Sequence, residues 1–398
     1  MGDPLFADGV DLGDVVLVAA KAVIGFGFVV VGVIFMIWFE RKVIADMQSR
    51  VGPARAGRWG LLQTLADGIK LIFKEDLSPD RADRPVYRLA PYLSVAPAFL
   101  TFTIVPIGGV FTGGEDGTVE LFGRQTFLQV ADPPVGVLFL LAMSSVAVYG
   151  VMLAGWSSGS KYPLLGAVRA SAQMISYEAA LGLSVVAVVL LAGSLSTHEI
   201  VASQAGSVVD WNLVRTAGVP FAIFFVAATA ELNRPPFDLV EAEQELVGGF
   251  HTEYSSIRFG MFFLAEFMNV ITMSAIIVTL FLGGPAGPAP FGPAVLWSFL
   301  WFGLKLGFFL FAFVWIRASL PRLRYDQLMD LGWKRLIPLS LGWLLFIGAI
   351  GIGRDQDWNP ALVVAVALAT FVMAGVSLGV AIRVAAQRRV DRYGEVAG

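Results

Sequence analysis

The sequence predicts an all-α, polytopic membrane protein: about nine transmembrane helices, with an amphipathic helix at the membrane surface after the first span. Three observations carry this. Of the 398 residues 57% are apolar and 15% charged, against roughly 25% charged in a soluble domain. Apolar runs of about 20 residues recur along the chain, each able to cross a hydrocarbon core of about 30 Å. Finally, 22 of the 28 Lys and Arg fall in alternate loops and the C-terminal tail, the asymmetry that fixes orientation in a bilayer.

The elements follow in order as one integral membrane domain, 1–398. The first 14 residues carry four aspartates and no Lys or Arg. They lack the basic start of a secretory signal, so span 1, about 15–39, is expected to be retained as an anchor. Segment 40–89 opens with a charge cluster. From Trp59 it places Leu62, Leu65, Ile69, Ile72 and Phe73 on one helical face, with Gln63, Thr64, Asp67, Lys70 and Lys74 on the other. This is the pattern of an interfacial helix, either a surface anchor or a roof over a lipid-side entrance. Spans 2 to 5 are expected at about 90–110, 135–155, 171–193 and 213–231. Loop 232–256 follows, then spans 6 and 7 at about 257–282 and 294–316. The short span 8, about 337–353, is bounded by Arg354 and Asp357, and span 9, about 360–382, leads into a basic tail. The basic loops place the N-terminus outside and the C-terminus in the cytoplasm, as for a bacterial plasma membrane.

Loop 232–256 is therefore cytoplasmic, yet with Glu231 it carries Asp238, Glu241, Glu243, Glu245 and Glu253 against one basic residue, Arg234. It is either a solvated acidic loop or a shaped one. The adjacent prolines of "NRPPF" cannot continue a helix, and "LVGGF" adds two glycines, which favours shape.

Charges inside spans cost at least about 2.5–3.5 kcal/mol each. Glu178 lies roughly 10 Å into span 4 and Glu266 roughly 14 Å into span 6. Lys305 falls near the middle of span 7, and Glu40 and Glu231 at the cytoplasmic ends of spans 1 and 5. Lys21 is close enough to an end to reach the surface and reads as structural. Burial raises a carboxyl's pKa and a neighbouring cation lowers it, so a chain of such groups can exchange protons near neutrality. A static ion pair is the bland alternative; the carboxylates outnumber the lysine that could pair with them. There are no cysteines and two histidines, His198 and His251. Cysteine-ligated iron–sulfur clusters and disulfides are excluded, and a multi-haem arrangement lacks ligands.

At these residues the chain resembles a known family. "AELNRPPFDLVEAEQELVGGFHTEYS" is similar to a signature segment of the membrane subunit called H in bacterial and 1 in mitochondrial proton-translocating NADH–quinone oxidoreductase, respiratory complex I. "ERKVIADMQSRVGP", "GLLQTLADGIKLIFKED", "ISYE" and "IRASLPRLRYDQLMDLGWK" resemble four further blocks, in the family's order, over about 36–340. The resemblance implies a subunit joining the membrane arm to the peripheral arm and forming much of the quinone chamber. Ubiquinone or menaquinone would be the substrate. This chain alone would bind no flavin, haem or iron–sulfur cluster; flavin and iron–sulfur chemistry would belong to partners, which would be other membrane-arm subunits and the quinone-site subunits of the peripheral arm, and nucleic acid has no place. Glu40, Arg41 and Arg50 would then belong to the quinone entrance, and Glu178, Glu231 and Glu266 to a proton pathway. Arg234, Asp238, Glu241, Glu243 and Glu245 would form the coupling loop. Two features depart from the family: Ala54-Arg55 after "VGP", where many members have Asn, and the region beyond about 355. The rival readings are the homologous subunit of a membrane-bound hydrogenase or related oxidoreductase, and a stand-alone proton-coupled transporter. The transporter reading lacks an internal repeat, and a purely structural anchor leaves the deep carboxylates unexplained.

Overall fold

A computed structural model describes residues 3–6, 9–111, 116–239, 246–356 and 358–396. Among these, helices fall within the expected spans, although the second ends early and the fifth is broken. Six helical stretches are long and apolar enough to cross a membrane by length and composition.

Helix α1 (Leu12–Met47) starts at a capping box in which the Asp11 side chain accepts from Leu12 N and Asp14 accepts from Asp11 N. Its 36 residues make about 54 Å, well beyond the roughly 30 Å of a hydrocarbon core. It therefore carries Glu40 and the charge cluster past the apolar layer as continuous helix. Helix α2 (Gln63–Phe73) is the expected amphipathic element. Leu65, Ile69, Ile72 and Phe73 are exposed, and Thr64 is buried.

Helix α3 (Arg84–Phe102) ends earlier than the expected 110. Strands β1 (Thr118–Leu121) and β2 (Arg124–Phe127) then form an antiparallel hairpin, a small exception to the all-α expectation. Its two-residue turn, Phe122 and Gly123, has φ of 54° and 78°, the left-handed pair that a tight hairpin requires.

Helices α4 (Gly136–Ser157) and α5 (Lys161–Ala192) are antiparallel neighbours. Two glycines let the backbones approach. A Cβ on Gly155 would overlap the Cβ of Ala167 and the carbonyl of Pro163, and one on Gly150 would overlap the Ser94 hydroxyl. Small residues at such contacts are the membrane solution to close helix packing.

After the short α6 (Thr197–Ala202), the expected fifth span is broken in two, α7 (Asn212–Arg215) and α8 (Val219–Glu231). Ala217 and Gly218, with φ of 53° and 73°, form the left-handed break. Pro220 then occupies the first turn of α8, where no N–H is needed.

Helix α9 (Ser256–Phe281) is the centre of the molecule: 72% of its most apolar stretch is buried, against 28% in α1 and α10 (Ala294–Ser319). Around it Met36, Tyr177, Leu181, Phe224 and Phe313 complete one continuous apolar core. Helices α11 (Tyr325–Leu331) and α12 (Ile337–Asp355) follow, joined by a π-helical turn. Helix α13 (Pro360–Val396) packs on α12 at the periphery and leaves Leu362, Val366 and Val372 exposed, as an outer membrane helix would.

Candidate functional site

At one end of the bundle the C-terminal parts of α1 and α10, the segment after α8 and the first turns of α9 converge on a charge cluster. Arg234 is 1% exposed. Its Nη1 donates to Glu40 Oε2 at 2.5 Å, its Nη2 lies 3.1 Å from Glu266 Oε1, and its guanidinium sits 4.5 Å from the Phe267 ring centre. Arg317 donates to the other Glu40 oxygen. Two cations and two anions thus tie four chain segments together. The pairing is what makes burial tolerable: an uncompensated charge here would cost several kcal/mol, on the order of 3–5.

The prolines of "NRPPF" free the chain from helix, and the packing then fixes it. Gln173, fully buried on α5, donates through Nε2 to Ala230 O at 2.7 Å and Phe237 O at 2.8 Å, and approaches Asn233 Oδ1 at 3.2 Å. Leu323 N donates to Pro236 O at 2.9 Å, and the Phe237 ring packs 5.3 Å from Tyr177. The far end is anchored too. Tyr254 stacks on Tyr87 at 4.0 Å, Tyr87 Oη donates to Glu253 O, and Ser256 Oγ donates to Leu71 O at the end of α2. The loop is therefore shaped at both ends. Asp238 is half-buried beside the cluster, close enough to Glu266 to act on it electrostatically. Glu241, Glu243 and Glu245 lie outside the described residues.

Behind the cluster is a cavity. Its volume is about 70 Å³, enough to hold water. Glu231, Asn233, His251, Glu266 and Asn269 supply its main polar lining, with Phe259 and Phe262 among the apolar walls. A second cavity of about 20 Å³ adjoins it, lined by Ser144, Thr101 and Thr272 and sharing Glu231 and Asn269 with the first. Glu231 Oε2 is buried without a hydrogen-bond partner. Ser144 donates to Glu178 Oε1 at 3.3 Å, and Ser145 bonds the same oxygen. The three expected membrane carboxylates thus follow one another along a polar seam: Glu266 and Glu231 in the first cavity, Glu231 and Ser144 in the second, Glu178 behind the serines. In the loop, burial drives the His251 imidazole down to about 4, so it is neutral where it lines the cavity.

The expected entrance residues separate. Glu40 is inside the cluster. Arg41 points the other way and binds Asp67 of α2 at 2.7 Å, fixing the interfacial helix to α1. Burial opposes charge on Asp67, but hydrogen bonds from Arg41 and Gln63 outweigh it and hold the carboxyl below its usual range. Arg50 is exposed past the end of α1 and bonds Gln48, away from the cluster.

Lys305 does not make the ion pair that the sequence left open as the bland alternative. It is no partner of the carboxylates: its Nζ donates to the carbonyls of Leu282, Gly284 and Ala286 at 2.8–2.9 Å, and lies 4.9 Å from the Trp211 ring centre. It caps the C-terminal end of α9, about 18 Å along the helix axis from Arg317. The cations that pair with Glu40 and Glu266 are Arg234 and Arg317. Lys21 is structural, as expected, but through an ion pair with Asp3 and a bond to Thr126 rather than by reaching solvent. Among the described residues no group of His, Asp and Glu could hold a metal ion.

Comparison with known proteins decides the family. The NADH dehydrogenase profile matches residues 20–348. The H subunit of NADH-quinone oxidoreductase from Frankia casuarinae is 53% identical over 353 residues, covering 87% of this chain and 76% of its own length. The corresponding H subunits of Frankia alni and Streptomyces avermitilis are 52% and 48% identical with similar coverage. The chain belongs to the family of NADH-quinone oxidoreductase H subunits. Within this H-subunit chain, the NADH dehydrogenase profile takes in the whole charge cluster and all three membrane carboxylates, and stops before α13.

Several residues of the H-subunit site escaped the sequence reading. Arg317 sits in a quoted block, but its pairing with Glu40 spans 277 residues and leaves no local trace. Ser144 and Ser145 are an adjacent pair in an apolar run, a weak signal. Gln173, Asn269 and His251 are polar residues beside expected acids, and their facing direction was needed to select them.

Proposed function

We propose that this chain, as the H subunit of a proton-translocating NADH–quinone oxidoreductase, lines the chamber where quinone is reduced and passes the effect of that reaction into the membrane through Glu266, Glu231 and Glu178. The polar seam joining these three carboxylates, with the Arg234 cluster under the acidic loop at one end, is the observation that carries the reading. The Lys and Arg distribution supports an orientation with the acidic loop on the cytoplasmic side, facing the peripheral arm.

Quinone would enter from the bilayer past α1, α9 and the apolar face of α2, the region to which Glu40, Arg41 and Arg50 belong. Partner subunits supply the two electrons; reduction to quinol takes up two protons. The resulting change of charge acts on Asp238, Glu241, Glu243 and Glu245 and on the Glu40–Arg234–Glu266 network, where low polarity strengthens every electrostatic coupling. Waters in the two cavities then connect Glu266 through Glu231 and Ser144 to Glu178.

The test is the whole complex carrying Glu231→Gln or Glu178→Gln. Assembly with its flavin and iron–sulfur partners should persist, while proton pumping linked to quinone reduction falls. Wild-type pumping by either variant would remove that carboxylate from the path.

A further inference from the structure

The two cavities share five lining residues: Ala147, Met174, Glu231, Leu232 and Asn269. Three of them are apolar, so the junction would be dry but for Glu231 and Asn269. Glu231 Oε2 is buried there without a partner. Among the described residues the Asn269 carboxamide bonds no protein group either. Asn269 follows Glu266 by one helical step of three residues and precedes Thr272 by another, in "EFMNVIT". On α9 these three residues descend about 9 Å along the cavity walls. Thr272 turns its hydroxyl toward Ala98 O at 3.5 Å, which leaves Asn269 as the polar group of α9 at the junction.

We infer that Asn269 is a positioning residue that holds water across this junction, bridging the Glu231 carboxyl to the waters of both cavities. The inference rests on the proton path proposed above. A carboxamide suits the place because it presents both an acceptor and donors. It can hold a water beside Glu231 whether that carboxyl is protonated or ionised, and it takes up no charge of its own.

The experiment uses the intact complex in sealed vesicles and reads protons pumped per NADH oxidised, the solvent deuterium isotope effect on pumping, and the yield of assembled complex. Asn269→Leu keeps the branched outline, at a larger volume, and removes the water-binding group. Its pumping should fall by up to about tenfold, the worth of one hydrogen-bonded bridge, with a larger isotope effect. Asn269→Ser, which keeps a hydroxyl and leaves room for water, should stay close to wild type. Asn269→Val takes the place of the leucine variant if that chain does not assemble. Glu231→Gln is run alongside. Impaired Glu231→Gln with wild-type Asn269→Leu overturns the role of Asn269 alone. Wild-type Glu231→Gln overturns the path and this inference with it. Equal losses in the leucine and serine variants also overturn it, since that pattern belongs to packing.

Discussion

Arg234→Gln tests whether the charge cluster is a mutual neutralisation or a set of independent contacts. Glu40 keeps Arg317 when Arg234 is lost, whereas Arg234 is the cation that touches Glu266 among the described residues. The substitution therefore strands Glu266. Removing one partner of a buried pair costs about 3–5 kcal/mol. The Glu266 side chain is 24% exposed, to the cavity, which puts the expected loss near the lower end, about 3 kcal/mol. The chain has no cysteine, so one reporter, Ala228→Cys at a position with no exposure, reports opening of the core through thiol labelling. A loss of about 3 kcal/mol makes labelling roughly a hundredfold faster where opening is a pre-equilibrium. Adding Glu266→Gln removes the stranded charge and should restore about 1–2 kcal/mol, within the usual range for contacting residues. Unchanged labelling in Arg234→Gln, or a double variant that labels as fast as or faster than the single one, would refute the reasoning.

Three further outcomes are expected. The His251 pKa is lowered to about 4 by burial, below an unfolded value of about 6.5. The unfolded chain binds the proton first, so this contribution is complete above about pH 6.5 and is lost as pH falls toward 4, at most about 3 kcal/mol. His251→Gln should flatten the pH dependence of hydrogen exchange in segment 249–254. Gln173→Leu removes its two bonds to the carbonyls of Ala230 and Phe237, which keep their backbone donors Asn233 N and Leu239 N; at about 0.5–1.5 kcal/mol each, the loss should speed exchange in 232–239 while α5 stays protected. Lys305→Met uncaps α9 and should lower thermal resistance of the complex, with the number of protons pumped per NADH unchanged; a lower ratio would return Lys305 to the proton path.

The helices were legible in the sequence because a membrane demands long apolar runs, and the deep carboxylates because each one is costly. The break at Ala217 and Gly218 was not, since backbone dihedrals at one residue pair leave the apolar run intact. The β1–β2 hairpin also passed unread, although "TVELFGRQTF" contains its turn, because four-residue strands carry too little period to compete with flanking loops. Partner choice was the larger gap. A lysine in mid-span left pairing with the glutamates open, yet three carbonyls at and just past the end of α9 hold it, while arginines at span ends reach the carboxylates. Sequence shows which charges are buried; only tertiary contact shows which ones meet.

The glycine contacts of α3, α4 and α5 have a mechanical consequence. With Gly150 against Ser94 and Gly155 against Ala167 and Pro163, the helices of this trio meet with no room for a Cβ at either contact. Ser144 and Ser145 on α4 and Glu178 on α5 therefore sit on helices packed at close range, as fittings on one chassis. Glu231 belongs to a shorter helix, open at Ala217–Gly218 and tethered at its other end by Gln173. The step from Glu231 to Ser144 thus crosses from a broken helix onto a close-packed pair.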